Sequence, residues 1–239
     1  MLSKTKILIF LALWKRPKIT ELCFEGLNRL RTHPDFDIQV LAVLSEEEMK
    51  PLCAKYHVNY VECENSPLGR KKNYGLSFAK NHTFDYLMEI GSDDLILNEL
   101  LDSYKPFIES GVKFFGIRDA AYIDSEGGYC NRLQSNSTYG AGRMIHRSLL
   151  ELVDFRLWKE TLERGLDNNS VFSFMRRGID YKQVKPMAFP GVIDVKSAEN
   201  IWPFNHRVGV PYDIEDIFKR LSEKEVTMIN AMILEHAAN

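Results

Sequence analysis

Apolar and polar positions change period several times along the chain. Residues 7–13, ILIFLAL, are continuously apolar, the pattern of a central strand covered on both faces. Pro17 suits the first turn of a helix, and Ile19, Leu22, Phe24, Leu27 and Leu30 then fall on one helical stripe that Thr32, His33 and Pro34 end. FDIQVLAVLS at 36–45 predicts a second strand. EEEMKPLCAKYH predicts a short helix with Ser45 as its cap and acids in its first turn. VNYVECE at 58–64 is a third strand, NSPLGRKKNYG at 65–75 a loop with a basic centre, GLSFAKNHT a helix and FDYLMEI at 84–90 a fourth strand. This alternation predicts an α/β fold, a mainly parallel central sheet with helices on both faces. Such sheets take ligands beyond the carboxyl ends of their strands. Two stretches stand at such ends, SPLGRKKN and MEIGSDD.

The second half is less regular. A helix is predicted at 97–110, one or two strands at 112–124, and a turn in SEGGYCNRL. A Gly-x-Gly turn precedes a strand–helix join within 136–153, and a helix begins near Asp167 or Asn168. IDYKQVK and residues 188–197 read as strands. The tail is amphipathic and helical. Leu221, Met228, Met232 and Ile233 make an apolar stripe expected to pack on the parent domain. No internal repeat appears. The expected organisation is one domain over 1–210 followed by the helical tail at 211–239.

Bulk composition narrows the partners. The 239 residues include 31 basic and 33 acidic side chains, for a net charge of −2. Wholesale nucleic-acid binding is therefore not expected. A nucleic-acid acceptor stays open only through a local basic face such as Arg70–Lys72 or Arg176–Arg177. The four cysteines form no C-x-x-C pair, which argues for free thiols in a reducing compartment and against structural zinc. The apolar run Ile7–Trp14 is 8 residues long, too short to span a bilayer. The expected location is cytoplasmic, with peripheral attachment to a membrane as the second reading. No Walker A loop, dinucleotide-binding G-x-G-x-x-G or G-x-S-x-G elbow is present.

The chemistry concentrates at Asp93 and Asp94. Adjacent aspartates either cap a helix or supply hard oxygen ligands for Mg²⁺ or Mn²⁺. Leu95–Leu97 intervene before the next helix, which weakens the capping reading.

In segment order over roughly 5–180, the chain resembles the GT-A glycosyltransferases, in pattern the large family 2 group of nucleotide-sugar enzymes. The resemblance rests on Trp14-Lys15-Arg16-Pro17 after the first strand and on Gly69-Arg70-Lys71-Lys72-Asn73-Tyr74-Gly75. It rests also on Gly91-Ser92-Asp93-Asp94 as a variant D-x-D cluster, and on the glycine-rich Tyr139–Arg147 segment. It implies a metal-dependent transfer of a sugar from a nucleoside-diphosphate sugar to a hydroxyl of a saccharide or other acceptor, with inversion. Asp93 and Asp94 are the implied metal ligands, with His206 as a late histidine in the shell. Arg16, Pro17, Ser45, Arg70, Lys71, Lys72, Asn73, Ser92, Asp93, Gly140, Gly142 and Lys196 are the implied donor contacts. Asp167 is the implied base, and Glu163 its reserve, and the resemblance implies a nucleotide-binding half over about 1–95 and an acceptor-binding half over about 96–210. Gly91 departs from the pattern, because it stands where the first acid is expected. The alternatives are a nucleotidyltransferase-like enzyme and a catalytically silent nucleotide- or saccharide-binding protein of the same fold.

Overall fold

A computed structural model describes residues 4–135, 139–197, 199–200 and 204–237. The opening residues of the NSTYGAGR and IWPFNH stretches, 136–138 and 201–203, lie outside the described residues. The strands are β1 Thr5–Ala12, β2 Phe36–Leu44, β3 Asn59–Glu62, β4 Tyr86–Glu89, β5 Asp94–Ile96, β6 Phe114–Gly116 and β7 Asp119–Asp124. After them come β8 Cys130–Gln134, β9 Arg143–His146, β10 Lys182–Gln183, β11 Val192–Lys196 and β12 Val210–Pro211. The helices are α1 Pro17–Arg31, α2 Lys50–Lys55, α3 Leu68–Phe78, α4 Asn98–Glu109, α5 Arg147–Leu152, α6 Leu166–Met175, α7 Ile214–Phe218 and α8 Glu223–Ala237.

Seven strands form the central sheet in the order β10-β6-β9-β4-β1-β2-β3. Every pairing in it is parallel except the two that β9 makes, with β4 and β6. The continuous apolar run of β1 explains its central place. Ile7, Ile9 and Leu11 face one core with residues of α1, α2 and α4, while Leu8 and Phe10 face a second core with residues of α3, α5 and α6. Alternate residues of one strand therefore serve two apolar layers. The mainly parallel sheet flanked by helices agrees with the expected α/β class.

A second sheet, β12-β8-β7-β11-β5, lies beside the first. The 112–124 segment gives one strand to each sheet, β6 and β7. SEGGYCNRL, expected only to turn, also supplies β8, and β12 was not expected from the sequence. A third core joins this sheet to α1, α7 and α8, with Ile229 of α8 fully buried. Helix α8 is further tied to α1 by Arg29–Glu225 at 2.9 Å and Lys224–Glu25 at 2.5 Å. The tail stripe thus packs within the chain.

Two boundaries differ from the expected ones in ways that matter for the site. Helix α3 starts at Leu68, so Arg70–Asn73 are helical rather than in a loop. The Glu163 carboxylate accepts from the free Leu68 N–H at 3.1 Å, a helix-end bond supplied from far along the chain. Gly69 lets α3 lie against the Lys159 carbonyl, where a side chain would collide. Helix α4 starts at Asn98, with Leu97 as its N-cap. Neither Asp93 nor Asp94 caps it, which removes the capping reading of that pair.

Candidate metal and diphosphate site

The carboxyl ends of β1, β2 and β4 share one edge of the sheet, and the chain leaves β4 there to enter the second sheet at β5. Residues 91–93 are that crossing. Asp94 opens β5 and pairs directly opposite Asp194 of antiparallel β11. Like charges facing across a sheet are destabilising, so this pairing calls for a compensating cation. Oxygens of Asp93, Asp94 and Asp194 all lie within 4.8 Å of one another. Burial, with Asp194 and Asp93 adding their repulsion, raises Asp94 well above the usual carboxylate range. Burial also raises Asp194, against the pull of Lys196.

Protein cations meet part of this demand. Arg16 donates to Asp93 Oδ2 at 2.9 Å and to Ser92 Oγ at 3.2 Å. Its backbone makes that reach. Lys15 and Arg16 both sit in the left-handed region, at φ 52° and 54°, so the chain turns sharply between β1 and α1. Two consecutive non-glycine residues there store strain of about 1–2 kcal/mol each. Pro17 then occupies the first turn of α1. Asn200 donates to the same Asp93 oxygen at 2.6 Å. Lys196, two residues along β11 and so on the same strand face as Asp194, meets it at 2.5 Å. Burial alone would lower the Lys196 ammonium, but Asp194 and Asp93 outweigh it and raise it.

Of the three carboxylates, Asp93 borders a cavity of about 430 Å³ whose wall also includes Arg16, Lys71, Lys72, Lys196 and Asn200. That volume falls in the range of small-ligand pockets. Lys72 lies 4.4 Å from the Trp158 ring centre and pairs with buried Glu89, which also faces Arg143 at 3.4 Å. Lys71 donates to the Leu13 carbonyl at 2.5 Å and to Ser45 Oγ and Asn65 Oδ1 at 2.9 Å. It forms no ion pair with a described carboxylate, and burial lowers it to about 8 against the pull of Glu46. Its ammonium therefore fixes the ends of β1 and β2 beneath the cavity.

Three hard carboxylates suit Mg²⁺ or Mn²⁺. The buried Asp194 Oδ1 has no hydrogen-bond partner among the described residues, and neither has buried Arg16 Nε. An orphaned carboxylate oxygen inside an acidic cluster is what a cation would satisfy. The donor set fits the ion.

Several expected residues are engaged elsewhere. His206 is exposed and lies edge-on to Tyr129 and Phe204, at 4.6 and 5.0 Å between ring centres. It is not in the acidic cluster, and Asp194 takes the third position instead. Asn73 faces away from the cavity. Its Oδ1 accepts from Leu157 N and Trp158 N at 3.0 Å, and its Nδ2 donates to Trp158 O at 2.6 Å. Arg70 is exposed and absent from the cavity wall. Glu163 lines the wall, but its oxygens accept from Ser66 Oγ at 2.5 Å and from Leu68 N, bonds that hold it below the usual carboxylate range. A carboxylate so held is a poor base.

The Gly-x-Gly pair divides its work. Gly142, at φ 76°, packs among Val192, Leu100 and Tyr104 in the core. Gly140 lies flat against the Asp167 carboxylate, with no space for a side chain. It stands past the last registered pair, Glu89:Arg143, on the side of the carboxyl ends. Asp167 of α6 thereby lies against the Gly140 backbone, and it is not among the residues that wall the cavity.

Gly91 is the departure that stood out in the sequence. A Cβ there would lie 2.5 Å from Asp93 Oδ1 and 2.8 Å from Asp94 Oδ2. The Gly91 N–H donates to Asp94 Oδ2. The glycine lets both carboxylates fold over the backbone, and the third carboxylate of the cluster comes from Asp194. Gly91→Asp should therefore lower stability by about 1–3 kcal/mol through overpacking, with no gain in metal affinity. Chemical denaturation and Mn²⁺ titration of the variant check this.

A mainly parallel sheet with one reversed strand and a second smaller sheet agree with a GT-A-like fold, with an acidic cluster at the crossing between the sheets. No family model matches the sequence, and no curated protein matches it. Solved structures do share the fold. A crystal structure of TarS from S. aureus aligns with a TM-score of 0.58 at 16% identity, over 82% of this chain and 37% of that one. Its 1–349 fragment aligns at 0.50 and 15% identity, over 97% and 71%. The mannosyltransferase PcManGT from Pyrobaculum calidifontis, in complex with GDP-Man and Mn²⁺, aligns at 0.58 and 13% identity, over 84% and 59%. Two of these three thus extend well beyond the region that the chain matches. Among the described residues, no helix is long and apolar enough to cross a membrane.

Proposed function

We propose that this chain is a metal-dependent glycosyltransferase that moves a sugar from a nucleoside-diphosphate sugar to an acceptor hydroxyl, with inversion. One observation carries the reading. Three carboxylates from two segments far apart in sequence converge at the carboxyl edge of a mainly parallel sheet, beside a cavity walled in part by lysine and arginine. A fold neighbour binds Mn²⁺ with GDP-Man, the pair of ligands this donor set suits.

Asp93, Asp94 and Asp194 would hold Mn²⁺ or Mg²⁺, which supplies charge neutralisation for a diphosphate leaving group. Arg16, Lys72 and Lys196 bring protein positive charge to the same phosphates, Arg16 with the planar fork that suits them. Ser92 and Asn200 hold Arg16 and Asp93 in place. Lys71 and Ser45 brace the cavity floor, and Pro17, Asn73, Gly140 and Gly142 set backbone positions around it. Asp167 is the proposed base. Its carboxylate makes no hydrogen bond with a described residue, and it neighbours Gly140. It is free to accept the acceptor's proton.

A second reading has one observation in its favour. Arg16 and Lys196 already sit on Asp93 and Asp194, as cations would in a metal-free binding protein. A panel of nucleoside diphosphates and their sugars, measured by thermal shift and hydrolysis with Mn²⁺ and with EDTA, separates the two. The transferase reading expects Mn²⁺-dependent stabilisation and slow donor hydrolysis. Stabilisation that ignores EDTA, with no turnover, supports the binding protein. No response to any member would contradict both.

A further inference from the structure

Helix α6 and the segment before it form a face that the cleft does not use. Arg156 and Lys159 line a surface hollow together with Arg176 and Arg177. None of the four forms an ion pair with a described residue. Several exposed lysines elsewhere are paired, as in Lys18–Glu235, Lys55–Glu21 and Lys219–Asp216, and those that form no ion pair with a described residue, such as Lys15, Lys113 and Lys185, stand apart from one another along the chain. On the adjoining turn of α6, Phe172 and Met175 are 56% and 54% exposed. The sheet side of the same helix is filled by Leu166, Val171 and Phe174, so the outward pair is surplus to the core.

Helix-end bonding explains part of this. Arg176 Nε donates to the Phe172 carbonyl at 3.2 Å, and Arg177 Nη1 to the Ser173 carbonyl at 2.7 Å. Each guanidinium keeps further donors free, and capping accounts neither for Arg156 and Lys159 nor for two exposed apolar side chains. Across 156–177, Glu160 is the one exposed acid that pairs with no described residue. Unpaired cations interleaved with exposed Phe and Met match a surface that is anionic at its plane and apolar just beneath it.

We propose that this face docks the protein on an anionic lipid membrane. A soluble polyanion would use the cations alone and leave Phe172 and Met175 idle. The tail helix α8, whose stripe is packed inside the chain, is not the membrane contact. The segment 157–164 runs from the docking face to the cleft wall at Glu163 and Arg164, so docking sets the cleft beside the bilayer surface. The proposal stands apart from the transferase reading, because lipid binding is measured without substrate.

Cosedimentation with vesicles of phosphatidylcholine plus phosphatidylglycerol, against phosphatidylcholine alone, tests it. The full chain should bind only the anionic vesicles, less as salt rises. The R176E/R177E double variant should lose about tenfold or more in partitioning. R156E/K159E, on a separate segment, should lose a comparable amount, and F172S/M175S should weaken binding at unchanged charge. Each variant should retain the parent's melting temperature. Absence of binding, equal binding to both vesicle types, or parent-like binding by the charge-reversed variants would overturn the proposal. So would tight binding of soluble polyphosphate with vesicle binding indifferent to F172S/M175S.

Discussion

Asp194→Asn should weaken Mn²⁺ binding at least about a hundredfold and remove Mn²⁺-dependent binding of nucleoside diphosphate. The magnitude follows from the site. Loss of a residue that only orients a metal ligand commonly costs 10–100-fold, and Asp194 offers an oxygen directly, with its Oδ1 buried and unpartnered. The change keeps the side-chain shape, so β11 and its pairing with β5 and β7 are retained. Asp93→Asn should have a similar effect, with one difference. Asp93 Oδ2 also receives Arg16 and Asn200, so the substitution unpairs a part-buried guanidinium and should lower stability as well. Isothermal titration of Mn²⁺ and of nucleoside diphosphate with Mn²⁺, alongside denaturation curves, reads both. Wild-type Mn²⁺ affinity in Asp194→Asn would remove it from the ligand set.

Asp167→Asn should cut transfer by about 10² to 10⁴, the usual contribution of a general base, while nucleoside-diphosphate affinity stays at the parent value. The split between the two readouts is the point. Asp167 is carried by α6 against Gly140, apart from the cavity wall that Arg16, Lys72 and Asp93 form. Its loss should therefore touch proton transfer and leave donor binding alone. The Asp167 backbone carbonyl, which accepts from Ser170 Oγ at 2.9 Å, is unaffected by the substitution, so α6 should fold as before. Joint loss of binding and transfer would instead mark Asp167 as structural. Glu163→Gln makes the useful contrast. Glu163 anchors the start of α3, so its change should cost stability and donor binding together.

The central sheet was legible because its physics is local. A continuous apolar run, a helical stripe and Pro17 at a helix start are all short-range signals, and β1, α1, β2 and β4 follow them closely. The basic stretch at 69–73 reads as a loop because Gly69 and the run of charges after it suppress a helical pattern. The bond that starts α3 there comes from Glu163, about a hundred residues away, and no local signal announces it. The same limit hid the composition of the acidic cluster. Asp93 and Asp94 are neighbours in sequence, whereas Asp194 joins them only through the antiparallel register of β5 and β11. A faint signal existed. Asp194 and Lys196 stand two apart in the otherwise apolar VIDVK, which places two charges on one face of a buried strand. His206 drew attention as a lone histidine beside asparagine and arginine, yet its ring is spent on Tyr129 and Phe204. Glu89 attracted none, although it joins Lys72 to Arg143 beneath the cleft.

The central claim is that Asp93, Asp94 and Asp194 together hold a divalent cation for a diphosphate. Anomalous scattering at the manganese edge, from crystals grown with Mn²⁺ and GDP or UDP, tests it most directly. The account predicts a single strong peak within coordination distance of Asp93 and Asp194, with diphosphate oxygens completing the shell and Arg16 turned to the phosphates. A nucleotide bound in the cavity with Arg16 and Lys196 still paired to the aspartates, and no manganese peak between them, would contradict it.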